Sequence, residues 1–310
     1  MQNNFTFTVD IQDNETRLDK FVSKHCPQFS RSFVQKLIDD SYVLVNNKVI
    51  TKSGYDLKTG YAVTVNMPKK QTVLEKEELV KNSGIELLHE HEDFLVIYKP
   101  AGILTHGNPE KSEIQLNNTL SVVDWLEVNY PEIFTLQPGS ERSGIVHRLD
   151  FLTSGIMLIA RNNKSLETFL QMFKDREIKK TYWAIVKGQA PQEGIINFPI
   201  VLKPGTLKRM CVKKDDFIRD QQEARTEYKN LEHLSDMSLV EVNLITGRTH
   251  QIRVHFAAIG HPVIGDELYG KVSKLINRQA LHAYSLEFKY AGQVFVFKKD
   301  LPEDMKLLLN

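Results

Sequence analysis

The stretch MPKKQTVLEKEELVKNSG, residues 67–84, is charged along its length and offers few side chains to a core. No hydrophobic interior can run continuously through it, so it reads as a linker between two bodies, residues 15–66 and residues 85–300. A length of 310 residues agrees, because domains of roughly 100–200 residues are the norm. Composition, 41% hydrophobic and 25% charged, is that of a globular protein, and no apolar run approaches the ~20 residues that cross a bilayer. No membrane partner is expected. The start, MQNNFTFTVDIQDNE, has neither the basic-then-apolar pattern of an export signal nor an Arg-rich amphipathic one, which makes the cytoplasm the expected location. Cys26 and Cys211 stand far apart without a CxxC partner. That argues against a disulfide framework, a zinc site or a redox dithiol, and both read as buried thiols.

In the first body, ETRLDKFVSKHC places Leu18, Phe21 and Val22 at helical spacing, and Ser30 is placed to cap a second helix carrying Phe33, Val34, Leu37 and Ile38. YVLVNNKVI then alternates around Asn46-Asn47, a pair that tolerates the positive φ of a tight hairpin. In the second body, DFLVIYKPAG reads as an apolar strand ended by Lys99-Pro100 and a Gly turn, and GIMLIARN as another. NNKSLETFLQMFKDREI sets Leu166, Phe169, Leu170 and Phe173 on one helical stripe. KKTYWAIVKG returns to alternation, with Tyr182, Ala184 and Val186 on one face. MSLVEVNLITG is a further strand, and THQIRVHFAAIGHP a helix with Ile252, Phe256 and Ile259 inward, stopped at Gly260. Strands outnumber helices without alternating with them, so the class is α+β, a mostly antiparallel mixed sheet with flanking helices.

Four stretches put polar residues at strand ends, KPAGILTH, HRLDFLTSG, KTYWA and TGRTHQIRVH, where a rigid scaffold can hold reactive groups. Singly, each has a structural reading: Asp150 as a turn residue, Arg253 as a surface cation, Tyr182 as a core tyrosine. Together they meet one need. A carboxylate that acts as a nucleophile must stay ionised inside a pocket, and an Arg opposes the upward pull of desolvation while fixing its aim. Arg253 suits Asp150, and Tyr182 supplies a flat wall and a phenol. Between Lys179 and Asn230, 11 Lys and Arg stand against 6 Asp and Glu, a solvated surface or a loop that tracks phosphates. His89 and His91, in HEHED, lack a third ligand in context, so no metal is expected there.

The first body resembles the S4 RNA-binding domain in RLDKF, SRSFVQKLI, VLVNNKVI and LKTGYAVTV, with Ser41 and Gly60-Tyr61 where such modules carry Gly and Gly-Asp. After it, HRLD..TSG, K.Y.A.V.G, TGR.HQIR.H and KP.G…H are similar to the RluA family of RNA pseudouridine synthases, particularly its S4-bearing, RluD-like branch. The resemblance covers residues 15 to 298 and implies an isomerase that breaks the glycosidic bond of a uridine in RNA, turns the base and rejoins it through C5. It implies Asp150 as catalytic nucleophile, Tyr182 as the residue stacked on the base and proposed acceptor of the C5 proton, and Arg253 as the partner of the carboxylate. Arg148 would fill the gap left by the flipped uridine, and Arg17, Arg31, Lys36, Lys48 and Arg248 would meet RNA. Many relatives carry Lys-Asp where this chain has Phe151-Leu152.

The expected activity is therefore pseudouridine formation without cofactor or metal, in large-subunit ribosomal RNA first and tRNA as the alternative, by a monomer. A non-catalytic RNA-binding assembly factor is the competing class, and Asp150, Tyr182 and Arg253 together argue against it. A glycoside hydrolase would want two carboxylates about 5–10 Å apart, and only one has motif support. No GxGxxG or P-loop fingerprint invites a nucleotide cofactor.

Overall fold

The computed structural model describes residues 4–67, 73–106, 120–136, 143–203, 208–212 and 218–309. It divides into two compact units, one within residues 1–82 and 106–124, the other within 83–105 and 125–310.

The first unit holds β1 (Phe5–Thr8), α1 (Leu18–His25), α2 (Arg31–Asp39), β2 (Val43–Val45), β3 (Lys48–Val49), β4 (Ala62–Val65) and α3 (Val73–Lys81). Ser30 caps α2, its Oγ accepting from Phe33 N at 3.2 Å. Asn46 and Asn47 take φ of 49° and 63°, closing the hairpin. The four strands order β1-β4-β2-β3, so β1, which precedes the expected start at residue 15, becomes an edge of this sheet. Leu18, Phe21, Val22, Leu37, Ile38 and Val63 are removed from water between the helix pair and the sheet. Ser41, where S4 modules carry Gly, adopts φ 69°, the left-handed backbone that a Gly would take freely. Residues 73–81, expected as linker, are helical and bury Val80.

Among the described residues the second unit forms a nine-stranded sheet: β5 (Glu86–Glu90), β6 (Phe94–Lys99), β7 (Ser154–Ala160), β8 (Lys179–Lys187), β9 (Glu193–Ile196), β12 (Thr226–His233), β13 (Met237–Leu244), β14 (Leu281–Tyr290) and β15 (Gln293–Lys298). β10 (Ile200–Leu202) and β11 (Arg209–Cys211) form a separate ribbon. The order is β5-β6-β7-β14-β8-β13-β12-β9, with β15 on β14, and every pair is antiparallel except β7 with β14. The expected α+β class with a mostly antiparallel sheet holds. The remaining helices are α4 (Val122–Asn129), whose residues divide between the two units, and α5 (Asn163–Lys174), α6 (Gln251–Ala258) and α7 (Glu303–Lys306) of the second. Asn162 and Ser165 close a capping box on α5.

Three expectations change. On α5 the buried stripe is Ser165, Leu166, Phe169 and Met172, while Leu170 is 42% exposed, because the sheet meets a face rotated from the predicted one. Helix α6 is buried on every side from Gln251 to Phe256, and Ile259 is only half-buried. Cys211 is half-buried, on the two-stranded ribbon; Cys26 is fully buried.

One register builds the site. Ala283 on β14 pairs with Gly155 on β7 and, on its other side, with Tyr182 on β8. Strands lie about 4.7–4.9 Å apart, so the turn leading into β7 and the ring of Tyr182 flank a single strand. Gly155 has φ 133°, and a Cβ there would lie 2.4 Å from Ala283 O, which explains the Gly of the Thr-Ser-Gly turn.

Candidate active site

Asp150 sits on a turn whose backbone is tied down at nearly every residue. Thr105 Oγ1 donates to Leu149 O (2.9 Å) and accepts from Leu149 N (3.2 Å). Thr153 N donates to Asp150 O, Gly102 N to Phe151 O, and Arg278 Nη1 to Leu152 O. Lys99 is fully buried, and its ammonium donates to Pro100 O (2.9 Å), Ile103 O (2.8 Å) and Phe151 O (3.3 Å). Burial pushes its pKa down to about 7 against the opposing pull of Asp150. The exposed Phe151 and the half-buried Leu152 therefore contribute carbonyls to the turn, a task that needs no charged side chain.

Below the turn, Ser154 Oγ lies 2.9 Å from His282 Nδ1, and His282 Nε2 lies 2.9 Å from Lys299 O. A carbonyl can only accept, so Nε2 carries the proton and Nδ1 accepts from the hydroxyl. Burial pushes this imidazole down to about 4, consistent with a neutral ring. His147 is also neutral: its Nε2 accepts from Leu158 N, the ring stacks on Phe173 at 4.7 Å, and burial pushes it down to about 3.

Helix α6 delivers Arg253. Its first residue, Gln251, accepts at Oε1 from Thr246 Oγ1 (2.7 Å) and Arg248 N (3.1 Å), and donates from Nε2 to Arg225 O and Thr226 Oγ1. That side chain staples the TGRTHQ turn to β12. His250, just before the helix, holds φ 59°. Arg253 is buried and gives its two-pronged fork to Asp266, Nε to Oδ2 at 2.7 Å and Nη2 to Oδ1 at 2.9 Å. Only Nη1 turns to Asp150, reaching Oδ2 at 3.1 Å. Among the described residues no donor reaches Asp150 Oδ1, and the side chain is 20% exposed. The guanidinium lies over the Tyr269 ring, 5.3 Å from its centre, and Tyr269 Oη is 2.9 Å from His250 Nδ1.

Asp150, Arg148, Tyr182, Arg248, His250 and Arg253 line one cleft of about 560 Å³ that opens to solvent. Tyr182 is buried on the wall; burial, and after it the charge of Asp150, raise its phenol well above the usual tyrosine range. Arg148 and Arg248 are exposed at the rim, with Arg248 Nε donating to Glu223 O.

In the first unit Arg17 and Arg31 converge. Arg17 meets Asp19 through Nε (3.0 Å) and Nη2 (3.1 Å), Arg31 through Nε (3.2 Å) and Nη2 (2.8 Å), and Gln35 Nε2 adds a fifth bond at 3.0 Å. Asp19 is fully buried; burial alone would raise its carboxyl, but Arg31, Arg17 and Gln35 hold it well below the carboxylate range. Lys48 is exposed on the hairpin and Lys36 half-buried on α2. Lys213, Lys214, Asp215 and Asp216, part of the basic run, lie outside the described residues.

Sequence reasoning missed Asp266, Tyr269, Gln251 and Asp19. The only signal for the first two was the polar GDELYG after Pro262, since nothing in a lone Asp says which Arg it will meet. Among the described residues no cluster of three His, Cys, Asp or Glu could hold a metal ion, and no helix is long and apolar enough to cross a membrane.

Residues 93–258 match the family described as RNA pseudouridylate synthase, and residues 16–63 match the S4 domain. An uncharacterized RNA pseudouridine synthase of Aquifex aeolicus (strain VF5) is 36% identical, over 96% of this chain and 93% of that one. A ribosomal large subunit pseudouridine synthase D of Nitrosomonas europaea is 31% identical, over 100% of this chain and 88% of that one. Among solved structures, human RNA pseudouridylate synthase domain containing 4 superposes with a TM-score of 0.58 at 26% identity, covering 77% of this chain and 97% of its own.

Proposed function

Because the chain belongs to the RNA pseudouridylate synthase family, isomerases acting on uridine in RNA, we propose that it converts specific uridines of large-subunit ribosomal RNA to pseudouridine with Asp150 as the reacting carboxylate. The carrying observation is the unequal use of Arg253. Its fork is spent on Asp266, so the guanidinium is fixed, and one N–H of Nη1 holds Asp150 by Oδ2, with no donor at Oδ1 among the described residues. A carboxylate held this way stays charged and aimed yet keeps a lone pair for the sugar.

In the direct route Oδ1 bonds C1′ while the C1′–N1 bond breaks, and the electron pair leaves with the uracil as its anion. The base turns until C5 faces C1′; the new C–C bond forms as the ester C–O bond returns its electrons to Asp150. The C5 proton then goes to a base, Tyr182 being the proposed acceptor, while N1 takes up a proton, so the net change is an isomerisation. Removal of the 2′ proton toward a glycal would use the same carboxylate. Tyr182 is the wall on which the base rests, and its raised pKa makes it a neutral phenol at the start. Arg148, at the rim, replaces part of the stacking lost when the uridine leaves its helix, a cost of a few kcal/mol.

Relatives named as ribosomal large subunit synthases support the choice of substrate. Mapping pseudouridine in total RNA from cells with and without the gene tests it. Loss of one or more positions in large-subunit ribosomal RNA is expected; loss confined to tRNA would overturn the substrate.

A further inference from the structure

A second chamber, about 1050 Å³ with its open side included, adjoins the Asp150 cleft and shares Arg148, Tyr182, Leu244, Gly247 and Arg248 with it. Among the described residues its own lining adds Lys174, Arg176 and Lys180, and no carboxylate. Lys180 precedes Tyr182 by two residues on β8, so both side chains stand on one face about 7 Å apart. Nearby cations outside the chamber are paired, Lys179 with Glu287 at 3.6 Å and Arg225 with Glu227 at 2.7 Å. Lys180, Arg176 and Arg148 have no carboxylate within ion-pair distance among the described residues.

Among the described residues nothing around Lys180 carries a charge opposite to its own. Its Nζ lies 5.6 Å from the centre of the Phe173 ring, against which neutral His147 is stacked. Burial, and after it the charge of Arg176, lower its pKa. Arg176 reaches the chamber from a left-handed turn, φ 64°, just past the end of α5. A half-buried ammonium beside a guanidinium is unfavourable until an anion joins them.

We infer that this chamber is a phosphodiester subsite, in which Lys180 and Arg176 take a backbone phosphate next to the nucleotide whose base lies on Tyr182. The inference rests on the RNA reading above and deepens it. Tyr182 is the shared wall, so an anion in the chamber is one nucleotide's reach from a base in the cleft. Ammonium and guanidinium give it charge-assisted hydrogen bonds, and the salt dependence of binding records the contact.

The test compares wild type with Lys180→Met, Lys180→Arg and Arg176→Gln, binding a single-stranded, uridine-containing oligonucleotide between 50 and 200 mM salt. Lys180→Met is expected to weaken binding about tenfold and to flatten the log–log salt slope by about 0.7, with Lys180→Arg restoring most of both. A second arm reads acylation of Lys180 by an amine reagent with mass spectrometry, with the oligonucleotide or inorganic phosphate as shield. Protection by the oligonucleotide supports the subsite. Unchanged affinity and slope in Lys180→Met, weakening without a change of slope, or protection by inorganic phosphate alone would each overturn it. Pseudouridine formation is scored separately. A wild-type protein that makes none but shows the Lys180-dependent slope refutes the proposed function and leaves the subsite standing.

Discussion

Asp19 and Asp150 are both carboxylates met by arginine, with the stoichiometry inverted. At Asp19 one carboxylate receives two arginines and a glutamine, five side-chain hydrogen bonds, with a sixth from the backbone N–H of Lys20, and is sealed from solvent. At Asp150 one arginine serves two carboxylates, and the fork goes to the partner, Asp266. The first arrangement exhausts the carboxylate and fixes two guanidiniums, each about half exposed, into one face. The second commits the fork of the arginine to the partner and, among the described residues, leaves one oxygen of the cleft carboxylate without a donor. On the proposed function, the number of donors on each carboxylate is what sets the acid proposed to react apart from the one that braces the scaffold.

The comparison breaks first at Asp150. Asp150→Asn is expected to lower pseudouridine formation by about 10⁴-fold while RNA affinity stays within a few-fold, because binding rests on phosphate contacts and stacking. Rates at the wild-type level in a folded, RNA-binding variant would remove Asp150 from the chemistry.

Acid sharpens it. Asp19 is held well below the carboxylate range, so its ion pairs survive until the pH falls through that lowered value. His282, under the Asp150 turn, has the same sign of shift with a different window. Its folded pKa of about 4 lies below the unfolded value near 6.5, so the unfolded chain binds the extra proton, and stability is lost as pH falls from 6.5 to 4. The loss is about 3 kcal/mol from this group. Trp125 and Trp183 both belong to the second unit, so their fluorescence during urea unfolding at pH 7 and pH 4 reports it. His282→Asn is expected to flatten that pH dependence; an unchanged slope would refute a neutral His282.

The smallest effect separates held from free cations. Arg17→Lys, which loses the fork on Asp19, is expected to weaken RNA binding about fivefold, and Lys48→Ala on the open hairpin about twofold. Equal effects, read by titration at one salt concentration, would mean that the clamp adds nothing to RNA contact.

Much of this was legible in the sequence where periodicity or turn chemistry spoke. The α1–α2 pair, the Asn46-Asn47 hairpin, strands β6, β7, β8 and β13, and the α+β class all follow from spacing. The motifs also placed Asp150, Tyr182, Arg148, Arg248 and Arg253 in stretches that the fold brings to one cleft. What escaped was choice of partner. Arg253 is buried with Asp266, 13 residues away, because α6 lies inside the fold, and a run such as THQIRVHF has no amphipathic signature to say so. Met172 replaces Leu170 on the buried face of α5 because the sheet, not the helix, decides which of two adjacent stripes is covered. Strand β1 is short, with half-buried Phe5 and Phe7, and is held by its pairing with β4, a contact remote in sequence.

The most direct measurement is a single-turnover one on two variants of the same size, Asp266→Asn and Asp19→Asn, with RNA affinity measured in parallel. If donors are distributed as described, Asp266→Asn slows the chemical step about 100-fold, as a misplaced group does, and leaves RNA affinity within about twofold. Asp19→Asn then does the reverse, weakening affinity about tenfold with the rate at saturating RNA unchanged. An Asp266→Asn variant that turns over at the wild-type rate, or two variants that alter the same quantity, would contradict the account.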